Sequence, residues 1–476
     1  MILERRPGRP DAESRTPAPG NGVEKATRVG DPMGRRGALV DFLALAGTLL
    51  CLGWMKGPRA MAGETAETLA PSNGQEAAPD DQAEVYRTPL AGEPYHAVFM
   101  GRTVDIPAHD RGHVTALTLG GTFYTPKQGN TAGTPIAAFY LKRVWDASRT
   151  RDLISVFLNE LEYVKSFSTR ELVTRLDTYT IPGGQTEVVN NQEIKSSATE
   201  WGTIIASAGL GLRYKVAPFQ VDNDLRIQFL GRVGYFYARR TSDTAPNLVL
   251  PRDTMLYGVK VRGRYDGIRR NLMELPHTGV AAGFDVDFMH RDAWASFGTI
   301  PDALFTEEDT RDYLQSSGYI LGVVGIPGLS EKNRILASLH GGTTRGKSAD
   351  RFNAITIGGG PLPGESDDLY RPDYPGTMFH RVLVTNYALA VLEYRRELAF
   401  FIYLHVRETF MWAERAAVTD TNTFLFKNTN GEAATIGLDT GFLWKSKIYL
   451  DYSWDSGFVR NGKPGSGLIF TWNKAF

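Results

Sequence analysis

A chain of 476 residues is long enough for two or three soluble domains or for one large β-architecture. With 42% hydrophobic and 22% charged residues it is not a wholly disordered chain, and 50 glycines with 11% aromatics favour many short strands joined by turns. Basic and acidic residues balance at 53 each, which argues against a nucleic-acid partner, and a single Cys excludes a disulfide framework or a multi-thiolate metal site.

The first predicted element is a targeting segment. Arg35 and Arg36 form a basic start, Phe42 to Trp54 an apolar run too short to span a bilayer, and Ala60 and Ala62 the small residues of a cleavage site. Residues 1–62 are therefore expected to be an N-terminal extension and a cleaved signal peptide that removes Cys51. Cleavage leaves 43 basic and 47 acidic residues, a mildly acidic exported protein starting at Gly63. Residues 63–112 begin polar and acidic without periodicity and read as a flexible periplasmic tether.

From residue 113 the pattern changes to period two. In Asp224 to Tyr237, Leu225, Ile227, Phe229, Val233 and Tyr235 oppose Arg226, Gln228 and Arg232. In Lys447 to Asp455, Ile448, Leu450, Tyr452 and Trp454 oppose Asp451, Ser453 and Asp455. Successive strand residues point to opposite faces, so these segments have one apolar and one polar side. A soluble sandwich would bury the apolar side; a membrane barrel turns it to lipid and keeps charge in a wet lumen. Strands of about ten residues, charges in mid-strand, and connectors alternating short with long and polar all favour the barrel. Fourteen strands are readable, at 113–124, 134–146, 151–170, 197–215, 224–240, 254–266, 276–291, 312–325, 333–344, 382–396, 398–412, 432–445, 447–458 and 465–476. The fold expected is all-β, a transmembrane antiparallel β-barrel over residues 113–476 with 14–16 strands, the extra two lying within 86–112 or 171–196.

Motifs of soluble chemistry find no support in their surroundings. Gly341 to Ser348 spells the phosphate-loop pattern, but a Gly/Pro run follows where the pattern needs a helix, so no nucleotide is expected. His109 and His113 lack the partners of a zinc motif, and no nucleophile elbow is present. No enzyme activity, cofactor or metal is expected.

The stretch 351–381 is the informative one. It opens Arg351-Phe352-Asn353 and continues Ile355-Thr356-Ile357-Gly358-Gly359-Gly360-Pro361-Leu362-Pro363-Gly364. Five strands follow, the first carrying Asn386-Tyr387-Ala388-Leu389 and Glu393-Tyr394-Arg395, the second Val406-x-Glu408-x-Phe410. The chain ends Phe470-Thr471-Trp472-Asn473-Lys474-Ala475-Phe476, alternation closing on a terminal Phe, which resembles the assembly signal of bacterial outer-membrane barrels. Over roughly the last quarter the layout resembles the bacterial surface antigen superfamily, which includes outer-membrane insertases and two-partner-secretion transporters. There an R-F-x-x-G-G segment leads into a loop carrying V-R-G-F/Y that folds back into a sixteen-strand barrel. Pro363 stands where that loop has its Arg, and Val406-x-Glu408-x-Phe410 replaces F-x-D-x-G.

The resemblance implies a protein of the outer membrane of a Gram-negative bacterium that translocates or inserts protein or lipid there. Outer-membrane lipid, the barrel assembly machinery, and a protein or lipid cargo are the partners implied. Residues 63–112 are too short and polar for a transport-associated domain. The alternative is a passive porin-like channel with an inserted constriction loop. On either reading Gly358, Gly359, Gly360, Pro361, Pro363 and Gly364 are expected in the lumen, with Arg351 or Arg371 paired to Glu393 or Glu408, and Phe476, Trp472 and Phe470 as the assembly signal.

Overall fold

The computed structural model describes residues 86–126, 132–190, 192–300, 303–345, 348–358, 369–375, 382–418, 424–441, 446–458 and 463–476. The expected signal peptide, the stretch from Gly63 to residue 85, Trp444 and Gly359 to Gly364 lie outside these residues.

Among the described residues, sixteen antiparallel strands close into one barrel. They are β1 (His113–Pro126), β2 (Ala132–Trp145), β3 (Ser148–Ser155), β4 (Leu158–Phe167), β5 (Arg170–Val189), β6 (Gln192–Lys215), β7 (Asp224–Arg240) and β8 (Thr254–Asp266). The circle continues through β9 (Pro276–Arg291), β10 (Asp312–Gly325), β11 (Asn333–Thr344), β12 (Asn386–Ala399), β13 (Ile402–Val418), β14 (Phe424–Gly441), β15 (Ser446–Asp455) and β16 (Gly465–Ala475). Strand β16 returns to β1 in register from Gly465↔Pro126 to Ala475↔Ala116. No described helix is long and apolar enough to cross a membrane, and the one α-helix among the described residues, Glu307–Thr310, is a single turn.

The two-fold alternation explains the wall. Ile448, Leu450, Tyr452 and Trp454 of β15 are exposed on the outside, while Asp451, Ser453 and Asp455 between them are buried inside. On β7, Phe229, Val233 and Tyr235 face out and Gln228 is buried. Trp454 and Phe470 lie on the outer face, and Trp472, two residues beyond Phe470 on β16, is half-buried on that face. The connectors after even-numbered strands lie at one end of the barrel (the turn end), and those after odd-numbered strands, which include the long ones at 241–253, 292–311 and 345–385, lie at the other (the loop end).

Sixteen strands fall within the expected 14–16, and the two extra ones come from two places, one of them the 171–196 stretch named for them. The expected strand 151–170 is a hairpin, β3 and β4, turning at Val156 and Phe157. No Gly or Pro marks that turn; Ser155 makes it, its hydroxyl accepting from the Leu158 amide (3.1 Å) and donating to the Leu158 carbonyl (2.7 Å), while the Asn159 side chain accepts from the Ser155 amide (3.0 Å). The expected loop 171–196 contains β5, whose faces are both mixed. Leu172, Thr174, Leu176 and Thr178 alternate with Glu171, Val173, Arg175 and Asp177, so its period is hard to see.

Residues 86–112, read from the sequence as part of a flexible tether, are folded. From Tyr86 the chain packs across the turn end, with Thr88, Ala91 and Arg111 buried. Thr88 donates to Glu397 (2.8 Å), Leu90 bridges Asn271, and a hairpin, Tyr95–Phe99 with Arg102–Ile106, sets Tyr95 and Phe99 against Phe400 and Phe401. Gly341 to Thr344 is the end of antiparallel β11, the wrong setting for a phosphate loop.

Candidate functional site: a plugged lumen

The connection from β11 to β12 turns inward. Ile355–Ile357 pairs with Val382–Val384 as a small hairpin. Its buried aliphatic residues pack on Tyr387 and Leu389 of β12, Met411 and Ala413 of β13 and Ala433 of β14. Gly358 follows directly and is half-buried. Further along, Leu369 packs on the cluster that holds Leu321, Val323 and Leu336, near the turn end of the wall. Tyr374 is fully buried and donates to Asp455 (3.1 Å). Both flanks of the glycine–proline segment thus lie inside the barrel.

The expected ion pairs form with other partners. Arg371 donates to Glu160 of β4 (2.7 Å), as does Tyr370 (3.2 Å), and Glu160 also pairs with Arg151 (3.4 Å) and Arg175 (3.2 Å). Arg262 and Arg264 approach the Tyr370 ring at 5.8 and 4.7 Å. Arg351 is buried at the loop end, donating to the Ser197 carbonyl (2.8 Å) and the Gln185 carbonyl and lying 3.6 Å from Glu187. Glu393 does face the lumen, but its partners are Arg395 and Arg407 on the wall itself. Glu408 is a correction. Val406 and Phe410 are exposed, and Arg407 and Thr409 face inward, so period two puts Glu408 on the outer face.

Sequence reasoning missed the anchor at the base of the loop. Arg291 of β9 is 2% exposed and pairs with Asp350, 0% exposed, at 2.5 and 3.3 Å. Arg291 also lies over the Trp294 ring at 4.0 Å. Asp350 accepts from the Phe352 and Asn353 amides (2.7 and 3.1 Å), the local turn that Asp favours. This turn drives Phe352 among Trp201, Phe236, Trp294 and Phe297, with ring centroids 5.2 to 6.5 Å away. The D-R-F-N run was the only sequence signal.

The loop end is roofed as well. The β5–β6 hairpin reaches across the mouth to the opposite wall, where Asn190 donates from its backbone to Ala416 (3.2 Å) and from its side chain to Val418 (3.1 Å) on β13. Asn190 has φ of 51°, a left-handed turn that Asn tolerates.

At the turn end Arg111 makes three bonds to Glu274 (2.7 to 3.1 Å) and lies 3.5 Å from Asp222, which Lys142 also binds. Burial opposes ionisation of Glu274, but the His109 hydrogen bond and the Arg111 charge outweigh it and hold the carboxyl well below its ordinary range. At Asp222 burial is likewise outweighed, by Lys142 and Arg111. A depressed folded pKa contributes stability that is complete above the unfolded value of about 4 and is lost as pH falls through the folded value. The Ala91 amide, bonded to the Arg270 carbonyl at 3.1 Å, should therefore keep the same hydrogen-exchange protection at pH 5 as at pH 7 and lose it only in strong acid. Arg111→Ala leaves Glu274 charged and 3% exposed, and should remove that protection at neutral pH, at a cost of about 3 kcal/mol.

These features define a class, a closed sixteen-strand antiparallel β-barrel with its own chain in the lumen. No family model matches the chain, and no curated protein does. It is similar to BamA from Haemophilus ducreyi lacking POTRA domains 1–3, at 12% identity, covering 81% of this chain and 75% of that one with a TM-score of 0.46. It is also similar to CdiB from Acinetobacter baumannii (9% identity, 82% and 66% covered, TM-score 0.43). A third similar structure is a FadL homologue from Pseudomonas aeruginosa (11% identity, 77% and 90% covered, TM-score 0.32). The chain spans just under two thirds of the CdiB chain.

Proposed function

We propose that this is an outer-membrane barrel, closed at rest, that moves or inserts protein or lipid at the outer membrane once its plug is displaced. The turn end then faces the periplasm and the loop end the exterior. The observation that carries this reading is the Leu369–Tyr370–Arg371 segment, held deep in the lumen by apolar packing on one wall and by Glu160 on another. A passive channel gains nothing from such a plug, whereas a barrel that acts on clients must stay sealed between them.

The test is reconstitution into liposomes, scored in two ways. An unfolded small outer-membrane barrel should insert faster into liposomes holding this protein than into empty ones, while sugars should fail to swell them. Free sugar permeation without faster insertion would overturn the reading in favour of a porin.

The assembly signal gives a second test. Phe476 is 66% exposed, and its amide bonds to the Thr115 carbonyl at 2.9 Å. Deleting it removes about 1 kcal/mol from the finished barrel. Its surface level in cells should nevertheless fall severely, because the assembly machinery reads the terminus before the fold exists. Heat-modifiability gels of deleted and intact protein, from cells and after refolding in detergent, separate the two effects.

A further inference from the structure

The hairpin Tyr95–Phe99 with Arg102–Ile106 closes on a two-residue turn, Met100-Gly101, between the facing residues Phe99 and Arg102. Both turn residues have positive φ, 50° at Met100 and 74° at Gly101. Hairpin turns of this kind take Asn, Asp or Gly at such positions, because other side chains are strained there. Met100 holds that conformation with 88% of its surface exposed, beside Val98 at 75%. A strained residue that its own chain barely touches points to a contact made elsewhere.

The two faces of the hairpin differ. His96 and Asp105, bonded at 2.6 Å, are exposed on one face with Thr103. Tyr95, Ala97, Phe99, Val104 and Ile106 share the other. That apolar face rests on the β12–β13 turn, with the Tyr95 ring 5.3 Å from Phe400 and the Phe99 ring 5.1 Å from Phe401. The base of the hairpin is fixed at the β8–β9 connector, by the Ala91 amide on the Arg270 carbonyl and by Arg111 on Glu274. The hairpin therefore runs from the β8–β9 connector to the β12–β13 turn on the barrel rim, and its own turn follows the last ring contact. The outward face of β12 beside that rim exposes Leu392, Tyr394, Arg396 and Leu398. Tyr and Arg on an apolar wall are the residue types of a bilayer boundary.

We propose that the hairpin tip is an interfacial membrane anchor: Met100, with Val98 and Phe99, enters the headgroup–acyl boundary of the leaflet at the turn end, and Arg102 meets lipid phosphate. The inference rests on the membrane-spanning reading above. The occupant is lipid and not a second protein, because the tip continues the outward face of the wall. The charge beside the tip, Arg102, also matches the anionic headgroup layer.

A fluorescent label tests this in the full protein carrying Cys51→Ser, reconstituted in phosphatidylethanolamine–phosphatidylglycerol liposomes. A nitrobenzoxadiazole group is placed at Met100→Cys on the tip, at His96→Cys on the polar face, or at Leu450→Cys on the outer wall. Each is quenched by iodide equilibrated on both sides and by lipid carrying a nitroxide high on its acyl chain. The labels at 100 and 450 should lose most of their emission to the lipid quencher and little to iodide, and the label at 96 the reverse. Iodide-dominated quenching at 100 with lipid quenching at 450 would overturn the anchor and leave the barrel in its membrane. A label at 100 shielded from both quenchers would show protein covering the tip and would equally overturn it. Loss of lipid quenching at 450 would bring down the membrane-spanning reading, and the anchor with it.

Discussion

Removing residues 358–375 should convert a closed barrel into a steadily conducting one without preventing its folding. The deletion takes out Leu369, Tyr370, Arg371 and Tyr374, the side chains that fill the lumen. The charges that meet Tyr370 and Arg371 keep other partners. Glu160 keeps Arg151 and Arg175, Arg262 keeps Glu162, and Arg264 keeps Asp285. The strands on either side, β11 and β12, pair directly from Asn333↔Arg396 to Thr343↔Asn386, so their register does not depend on the loop between them. A sixteen-strand barrel leaves an aqueous channel unless something fills it. Planar-bilayer recording should show brief closures around a large open level in the deletion and a quiet baseline in the intact protein. Equal currents in the two would mean that the plug does not control the pore.

Breaking the Arg291–Asp350 pair should have the largest effect of any single substitution. Asp350→Ala leaves a guanidinium 2% exposed without its carboxylate and removes the acceptor for two loop amides. Losing one partner of a buried pair costs about 3–5 kcal/mol. The expected result is a lower unfolding temperature and proteolysis near residue 350. Replacing both partners, Arg291→Met with Asp350→Leu, should recover most of the loss, because two apolar groups need no counter-charge. A double-mutant cycle with near-additive effects would show that the pair is not the loop's anchor.

The parts of the fold that the sequence made legible were those with one dry face and one wet face. The alternation over Asp224 to Tyr237 and over Lys447 to Asp455 identified outward and inward residues correctly, because lipid-facing and lumen-facing side chains differ in chemistry there. Strands β3 to β5 escaped because their outward face mixes Thr150, Asp152 and Asn159 with Ile154, Tyr163 and Leu172, so neither face reads as uniformly apolar. The turn at Val156–Phe157 escaped because a serine hydroxyl and not a glycine makes it. The inward course of the loop was readable from its aliphatic lead-in, Ile355 to Ile357, and the structure buries both isoleucines. Its partners were not. Arg371 meets Glu160, more than 200 positions earlier in the chain, and only closure of the sheet brings them together. Glu408 was misplaced by reading it against the family's F-x-D-x-G pattern. Its neighbours Val406 and Phe410 already gave the face.

The central claim is that the β11–β12 loop occupies the lumen of the protein in its membrane. A single cysteine at Leu369, in protein carrying Cys51→Ser, measures this directly. Leu369 packs against the cluster of Leu321, Val323 and Leu336. In liposomes it should resist a bulky polymer-linked maleimide added from either side, while a cysteine at Asn247, exposed in the β7–β8 connector, reacts at once. Equally fast labelling of Leu369→Cys would place the loop outside the barrel and contradict the account.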